Sequence, residues 1–161
     1  MQAPKVRAEF LNPFIKAASQ VLASEVQAQV QKGTVSYREF YFTLQDVSVS
    51  IGVTGKVEGT VLYGMAEHTA KGIAAAMLGQ NVPLFDHLAE SAIAELGNMI
   101  TGLASGELEA AGYSCTISPP TVITGRGTII STLNIQGILL PLITQYGPLE
   151  ITLALQEKVL R

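Results

Sequence analysis

Apolar residues recur at intervals of three and four in three stretches of this chain and alternate with polar ones in most of the rest. That pattern predicts three helices set among short strands. Phe14, Ala17, Ala18, Val21, Leu22, Val26 and Val30 form the first helical stripe. Asn12 followed by Pro13 predicts its start, a capping side chain before proline at the first helical position, and Gly33 its end. Strands are predicted over 37–44, 47–53 and 57–65, with turn signals at Asp46 and Gly55. An alanine-rich helix follows over 67–78 and stops at Gly79. Asn81 and Pro83 mark a linker, and a longer helix runs from about 86 to 106. Leu88, Ala92, Ile93, Leu96, Met99, Ile100 and Leu103 form its apolar arc. Strands then fill 114–118, 121–124, 128–139 and 149–155, broken at Pro119-Pro120, Gly125-Arg-Gly127 and Tyr146-Gly-Pro148.

The order helix, strands, helix, then helix, strands divides into two similar halves. An α+β domain follows, two pseudo-repeated helix-plus-antiparallel-strand halves with long helices packed on a sheet. At 161 residues the chain has the size of one domain, and residues 1–161 are expected to fold as a unit.

One face of the long helix carries the most informative chemistry. Ser91, Glu95, Asn98 and Gly102 are spaced by four, three and four residues. They fall within an arc of about 60° beside the apolar arc. A carboxylate one turn before a carboxamide presents an acceptor next to a group that both donates and accepts. Such a pair can salt-bridge a cation and orient a water. Solvated surface residues would have the same spacing, although asparagine favours caps and turns over a helix interior.

Composition narrows the alternatives. Charged residues are 14% of the chain, hydrophobic ones 48%, and the net charge is −3, which removes the electrostatic footprint of a nucleic-acid binder. No apolar run reaches the ~18 residues of a membrane span, and the start Met1-Gln-Ala-Pro-Lys5 lacks the apolar core of a signal peptide, so a soluble cytoplasmic protein is expected. The one cysteine, Cys115, forms no internal disulfide and reads as a small buried hydrophobe. His68 and His87 have no local partner. Gly52-Val-Thr-Gly55 and Gly125-Arg-Gly-Thr128 read as hairpin connections, because no strand-loop-helix context or P-loop lysine accompanies them. From Ala110 to Gln156 only Arg126 and Glu150 are charged, so either part of that surface meets another subunit or the sheet is covered on both faces within the chain.

The run Ser91-Ala-Ile-Ala-Glu95-Leu-Gly-Asn98-Met-Ile-Thr-Gly102 resembles the signature helix of the CheC/CheX/FliY phosphatases. Phe10-Leu-Asn12-Pro13-Phe14 resembles the opening of that family's first helix, and Pro141-Leu-Ile-Thr144-Gln-Tyr-Gly147 its late strand-turn-strand. The resemblance implies a CheC-like fold and a CheX-type member, because the motif occurs on the later helix; in the first helix Glu25 is followed three residues on by Ala28 instead of asparagine. It implies dephosphorylation of the phospho-aspartate on a CheY-like response regulator. Asn98 would orient the attacking water, Glu95 would salt-bridge the receiver lysine, and Ser91 and Gly102 would lie at the partner contact. Mg²⁺ would be held by the receiver, with no cofactor of the chain's own. A homodimer joined through sheet strands is also implied. Two other readings remain open: a non-catalytic module of this fold docking on a receiver or flagellar component, and a structural homo-oligomer.

Overall fold

The computed structural model describes residues 8–132 and 135–158. Along the chain these form α1 (Ala8–Val26), β1 (Gln31–Lys32), β2 (Ser36–Arg38), β3 (Tyr41–Thr43), β4 (Val47–Gly55), β5 (Val57–Met65), α2 (Glu67–Leu78) and α3 (His87–Ala110). The second half continues with β6 (Cys115–Ile117), β7 (Thr121–Thr124), β8 (Ile129–Ser131), β9 (Gly137–Thr144) and β10 (Gly147–Glu157).

An eight-stranded sheet runs β1-β9-β10-β5-β4-β6, with β2 also on β9 and β7 also on β4; β3 and β8 pair apart from it. Every pairing is antiparallel. The hairpin β4–β5 corresponds to β9–β10, and the two meet along β5 and β10 at the sheet centre. The short strands cross over: β1 and β2 of the first half pair with β9, and β6 and β7 of the second pair with β4. The expected pseudo-repeat is therefore an exchange of edge strands between the halves.

Alternation along the long strands sorts the two faces of the sheet. Val49, Ile51, Val61, Tyr63, Leu140, Leu142, Ile151 and Leu153 join the buried residues of all three helices in one core. The opposite face holds Ser48, Leu62, Thr152 and Ala154, all buried too. Arg38 and Phe42 line a narrow space over it, the guanidinium 3.9 Å from the Phe42 ring centroid and 3.5 Å from Glu150 Oε2. The apolar residues of β9 and β10 are thus largely buried inside the chain, while those of β6 to β8 remain half-buried or exposed.

Several boundaries differ from the sequence expectations. α1 already includes Ala8, the first described residue, so Asn12 is no cap and Pro13 lies inside the helix. Phe10 is the reason: it is buried, packs edge-on against Tyr113 with centroids 5.1 Å apart, and holds the turn before the proline in place. The helix ends at Val26, short of Gly33, because Gln27 takes a left-handed conformation (φ 52°) and the β9–β10 turn clasps this end. The Tyr146 hydroxyl donates to the Val26 carbonyl at 2.7 Å, and Gln145 Nε2 donates to the Gln27 carbonyl at 3.0 Å. The segment 37–44 divides into β2 and β3, and 128–139 into β8 and the start of β9; residues 133 and 134 of the latter lie outside the described residues. Gly52 sits within β4, where its N–H donates to Ser118 Oγ at 2.8 Å, so only Gly55 (φ 131°) serves the hairpin turn.

Tyr146→Phe keeps the ring against Gly72 but leaves the Val26 carbonyl without its donor. The expected cost is about 1 kcal/mol, measured as a lower urea midpoint at unchanged slope.

Candidate functional site

α3 starts where Asp86, with extended backbone, accepts from Ala89 N–H at 3.0 Å through its side chain. The helix continues to Ala110, a turn beyond the expected end, because Leu108 is buried and anchors the last turn.

Its buried arc is Ala89, Ala92, Ile93, Leu96, Gly97, Ile100, Thr101, Ala104 and Leu108. That arc is rotated from the one the large residues suggest: Leu88 is 50% and Leu103 45% exposed. Small residues do the seating. A Cβ on Gly97 would stand 3.0 Å from Val49 Cγ1 and 3.3 Å from Tyr63 Cδ2, so the helix meets the sheet at closest approach there. Polar atoms enter this contact as well. Tyr63 Oη and Thr101 Oγ1 are 2.7 Å apart, both side chains buried, and Thr101 Oγ1 donates to the Gly97 carbonyl at 2.7 Å. Burial pushes the Tyr63 phenol well above its ordinary value, against a smaller opposite pull from the Thr101 hydrogen bond, so it stays a donor.

On the far side of α3 lie the four residues that the spacing brought together. Ser91 and Glu95 are exposed, and Asn98 and Gly102 half-buried. Ser91 Oγ donates back to the His87 carbonyl at 3.0 Å, so its proton is already used. Among the described residues, Glu95 and Asn98 take no side-chain hydrogen bond or ion pair, which leaves both free for a partner. Nothing lies within 4 Å of a Cβ built on Gly102, so packing inside the chain does not require glycine there. The apolar side chains of Leu88 and Leu103 flank the stripe.

The other candidates of the sequence fall away from this face. The comparison at Glu25 and Ala28 does not hold, since Ala28 lies beyond α1. A second Glu-x-x-Asn spacing stands at Glu9 and Asn12, but the Tyr113 hydroxyl donates to Glu9 Oε1 at 3.2 Å, and Pro13 follows directly. Cys115 is half-buried, and burial, with Glu109 adding to it, raises its thiol pKa. Among the described residues no three His, Cys, Asp or Glu side chains gather as a metal site, and no helix is long and apolar enough to cross a membrane.

Sequence reasoning missed Gly97, Thr101 and Tyr63. The available signal was Thr101 itself, a polar residue on the apolar side of a helix, four residues after a glycine.

Comparison with known proteins bears on the same helix. A family model described as chemotaxis phosphatase CheX matches residues 47–142, which include all of α3. The CheY-P phosphatase CheX of Thermotoga maritima is 34% identical over 132 residues, covering 80% of this chain and 83% of that protein. A chemotaxis protein CheX from Desulfovibrio desulfuricans superposes with a TM-score of 0.83 at 26% identity, over 93% of this chain and 99% of the other. A chain of the CheX–CheY–BeF3–Mg²⁺ complex from Borrelia burgdorferi superposes with a TM-score of 0.81 at 26% identity, over 94% and 100% of the two chains.

The two glycines of α3 are expected to respond oppositely to alanine. Gly102→Ala should stabilise by about 0.5–1 kcal/mol through helix propensity alone. Gly97→Ala should destabilise by about 1 kcal/mol or more, because overpacking outweighs that gain. Paired thermal and urea denaturation checks both.

Proposed function

The chain belongs to the CheX family of chemotaxis phosphatases, and from that premise we propose that it hydrolyses the aspartyl phosphate of a CheY-like response regulator through Glu95 and Asn98 of α3. The observation that carries this reading is the pair itself, one turn apart on the open face of a helix seated closely on the sheet, with neither side chain engaged among the described residues.

An acyl phosphate has a good leaving group. Hydrolysis forms a bond from water oxygen to phosphorus, breaks the bond from phosphorus to the aspartyl oxygen, and returns a free carboxylate and inorganic phosphate. What catalysis must add is mainly in-line placement of the water and compensation of charge. The Asn98 amide oxygen accepts a hydrogen bond from that water while its nitrogen donates alongside, and the two contacts together define a direction of attack. A carboxamide is too weak a base to remove the proton, so Asn98 orients the water and does not deprotonate it. Glu95 pairs with the receiver's lysine and holds the two proteins in register. Ser91, its proton committed to His87, offers an acceptor at the rim, and Gly102 leaves room for the partner's backbone to approach. Mg²⁺ belongs to the receiver in this reading, and the chain contributes no ligand to it.

Self-association through sheet strands is a second part of the proposal. The β3–β8 ribbon favours it: Tyr41 (68% exposed) and Ile129 (69% exposed) share its outer face with Thr43 and Ser131.

Loss of acyl phosphate from a Mg²⁺-loaded, phosphorylated CheY-type receiver tests the enzyme reading. The wild-type chain should accelerate it. Asn98→Ala should remove about 10²-fold of that acceleration while sparing affinity for the beryllofluoride-activated receiver, and Glu95→Ala should weaken both. Binding without acceleration by the wild type would instead identify an adaptor. For self-association, sedimentation equilibrium should give a dimer that Tyr41→Glu with Ile129→Glu converts to monomer; an unaltered mass would place the contact elsewhere.

A further inference from the structure

The most buried polar contact in the core lies beneath the Glu95–Asn98 face. Tyr63 stands in the central strand β5, between Val49 of β4 and Ile151 of β10, and is 1% exposed. Thr101 is fully buried. A threonine hydroxyl has one proton, and here it goes to the Gly97 carbonyl, so the 2.7 Å contact with Tyr63 requires the phenol to donate. The relay therefore has a definite direction, from the central strand through Thr101 to the carbonyl of Gly97, the residue directly before Asn98.

Apolar contacts alone would seat α3 but define its rotation weakly, because burial is non-directional. A hydrogen bond has an angular optimum, and this one ties residues 97–101, a single turn, to a fixed point on the sheet. Asn98 follows Gly97 by about 100° around the helix axis and Glu95 lies about 160° away on the opposite side. Rotating that turn swings both side chains together. With Gly97 held against the Tyr63 ring and Val49, translation toward or away from the sheet is limited as well.

From this geometry we infer that Tyr63 and Thr101 are positioning residues for the phosphatase face: their relay sets the rotation of the 97–101 turn, and so the direction in which Asn98 presents its amide to the attacking water. The inference rests on the phosphatase reading above, and it separates turnover from stability. Replacing both hydroxyl partners by apolar groups of similar shape leaves no orphaned polar atom and is close to neutral for folding, whereas Thr101→Val alone leaves the Tyr63 hydroxyl buried without its acceptor; Tyr63→Phe alone leaves Thr101 its bond to the Gly97 carbonyl.

The test compares Tyr63→Phe, Thr101→Val and the double variant with wild type in the receiver-phosphate assay, with affinity for the beryllofluoride-activated receiver and melting temperature measured alongside. The double variant is expected to melt within a few degrees of wild type and to bind the receiver within about twofold, yet to turn over about tenfold more slowly, the size of effect that a small misplacement of a reacting group produces. Wild-type kcat in a folded double variant overturns the inference, and so does a kcat loss that follows melting temperature across the three variants. Amide exchange over 98–102 in the free protein supplies a readout that needs no partner. It should quicken in the double variant while β5 and β10 stay protected, and unchanged exchange overturns the relay as a positioning device. A wild-type chain without phosphatase activity overturns the functional reading and the catalytic role inferred here with it, while the exchange result still decides whether the relay holds this turn.

Discussion

The approach of α3 to the central strands is the constraint on which the rest of this structure depends. Gly97 has no Cβ, so the helix settles onto Val49 and the Tyr63 ring at a distance where an added Cβ would push its neighbours aside. Ala89, Ala92, Thr101 and Ala104 continue the close contact along the buried arc. Close approach on the small side turns the large side outward, and Leu88 and Leu103 become exposed as a result. The face with Glu95 and Asn98 is open because the opposite face is so tightly seated. In its last turn α3 is also tied to α1 by Lys16 and Glu107, 2.7 Å apart, but that pair is solvent-exposed and contributes little to stability.

Exchange of edge strands makes the two halves one cooperative body. Each long hairpin needs short strands from the other half to pair its outer edge, and the hairpins share the β5–β10 seam at the centre. A half on its own would leave unpaired strand edges and an uncovered apolar face. The clasp of Tyr146 and Gln145 on the end of α1 works in the same direction, since residues from the last hairpin terminate the first helix. Sequence distance and structural dependence are thereby decoupled, and a substitution in the β9–β10 turn is felt at Val26.

This decoupling accounts for what could and could not be read in the sequence. The α+β architecture, α2, β4, β5 and the four residues of the α3 stripe followed from periodicity and spacing, because each depends on neighbours within a turn or a strand. The ends of α1 did not. The turn before Pro13 packs on Tyr113 through Phe10, and the helix end rests on a tyrosine contributed from far along the chain. Assigning Leu88 and Leu103 to the core failed for a related reason. Counting large apolar side chains finds the most hydrophobic face of a helix, but α3 is oriented by how near it can come to the sheet, a property carried by glycine and alanine. Thr101 was passed over because its partner, Tyr63, lies on a strand 38 residues earlier.

The chain contains a control for how much spacing alone explains. Glu9 and Asn12 repeat the spacing of Glu95 and Asn98 on the helix that occupies the corresponding place in the other half. The surroundings differ in two respects. Tyr113 donates to the Glu9 carboxylate, whereas Glu95 is unengaged among the described residues, and Pro13 follows Asn12 in the first turns of its helix, whereas Asn98 lies in the middle of one. Beneath Asn98 there is a glycine seat and a buried hydroxyl relay; beneath Asn12 the core is filled by Phe10, Leu11 and Phe14. A carboxylate and a carboxamide three residues apart are therefore only part of a site. What distinguishes the α3 pair is that both side chains are unengaged among the described residues and the backbone carrying them is held by a directional contact, and those two properties come from residues that the motif does not contain.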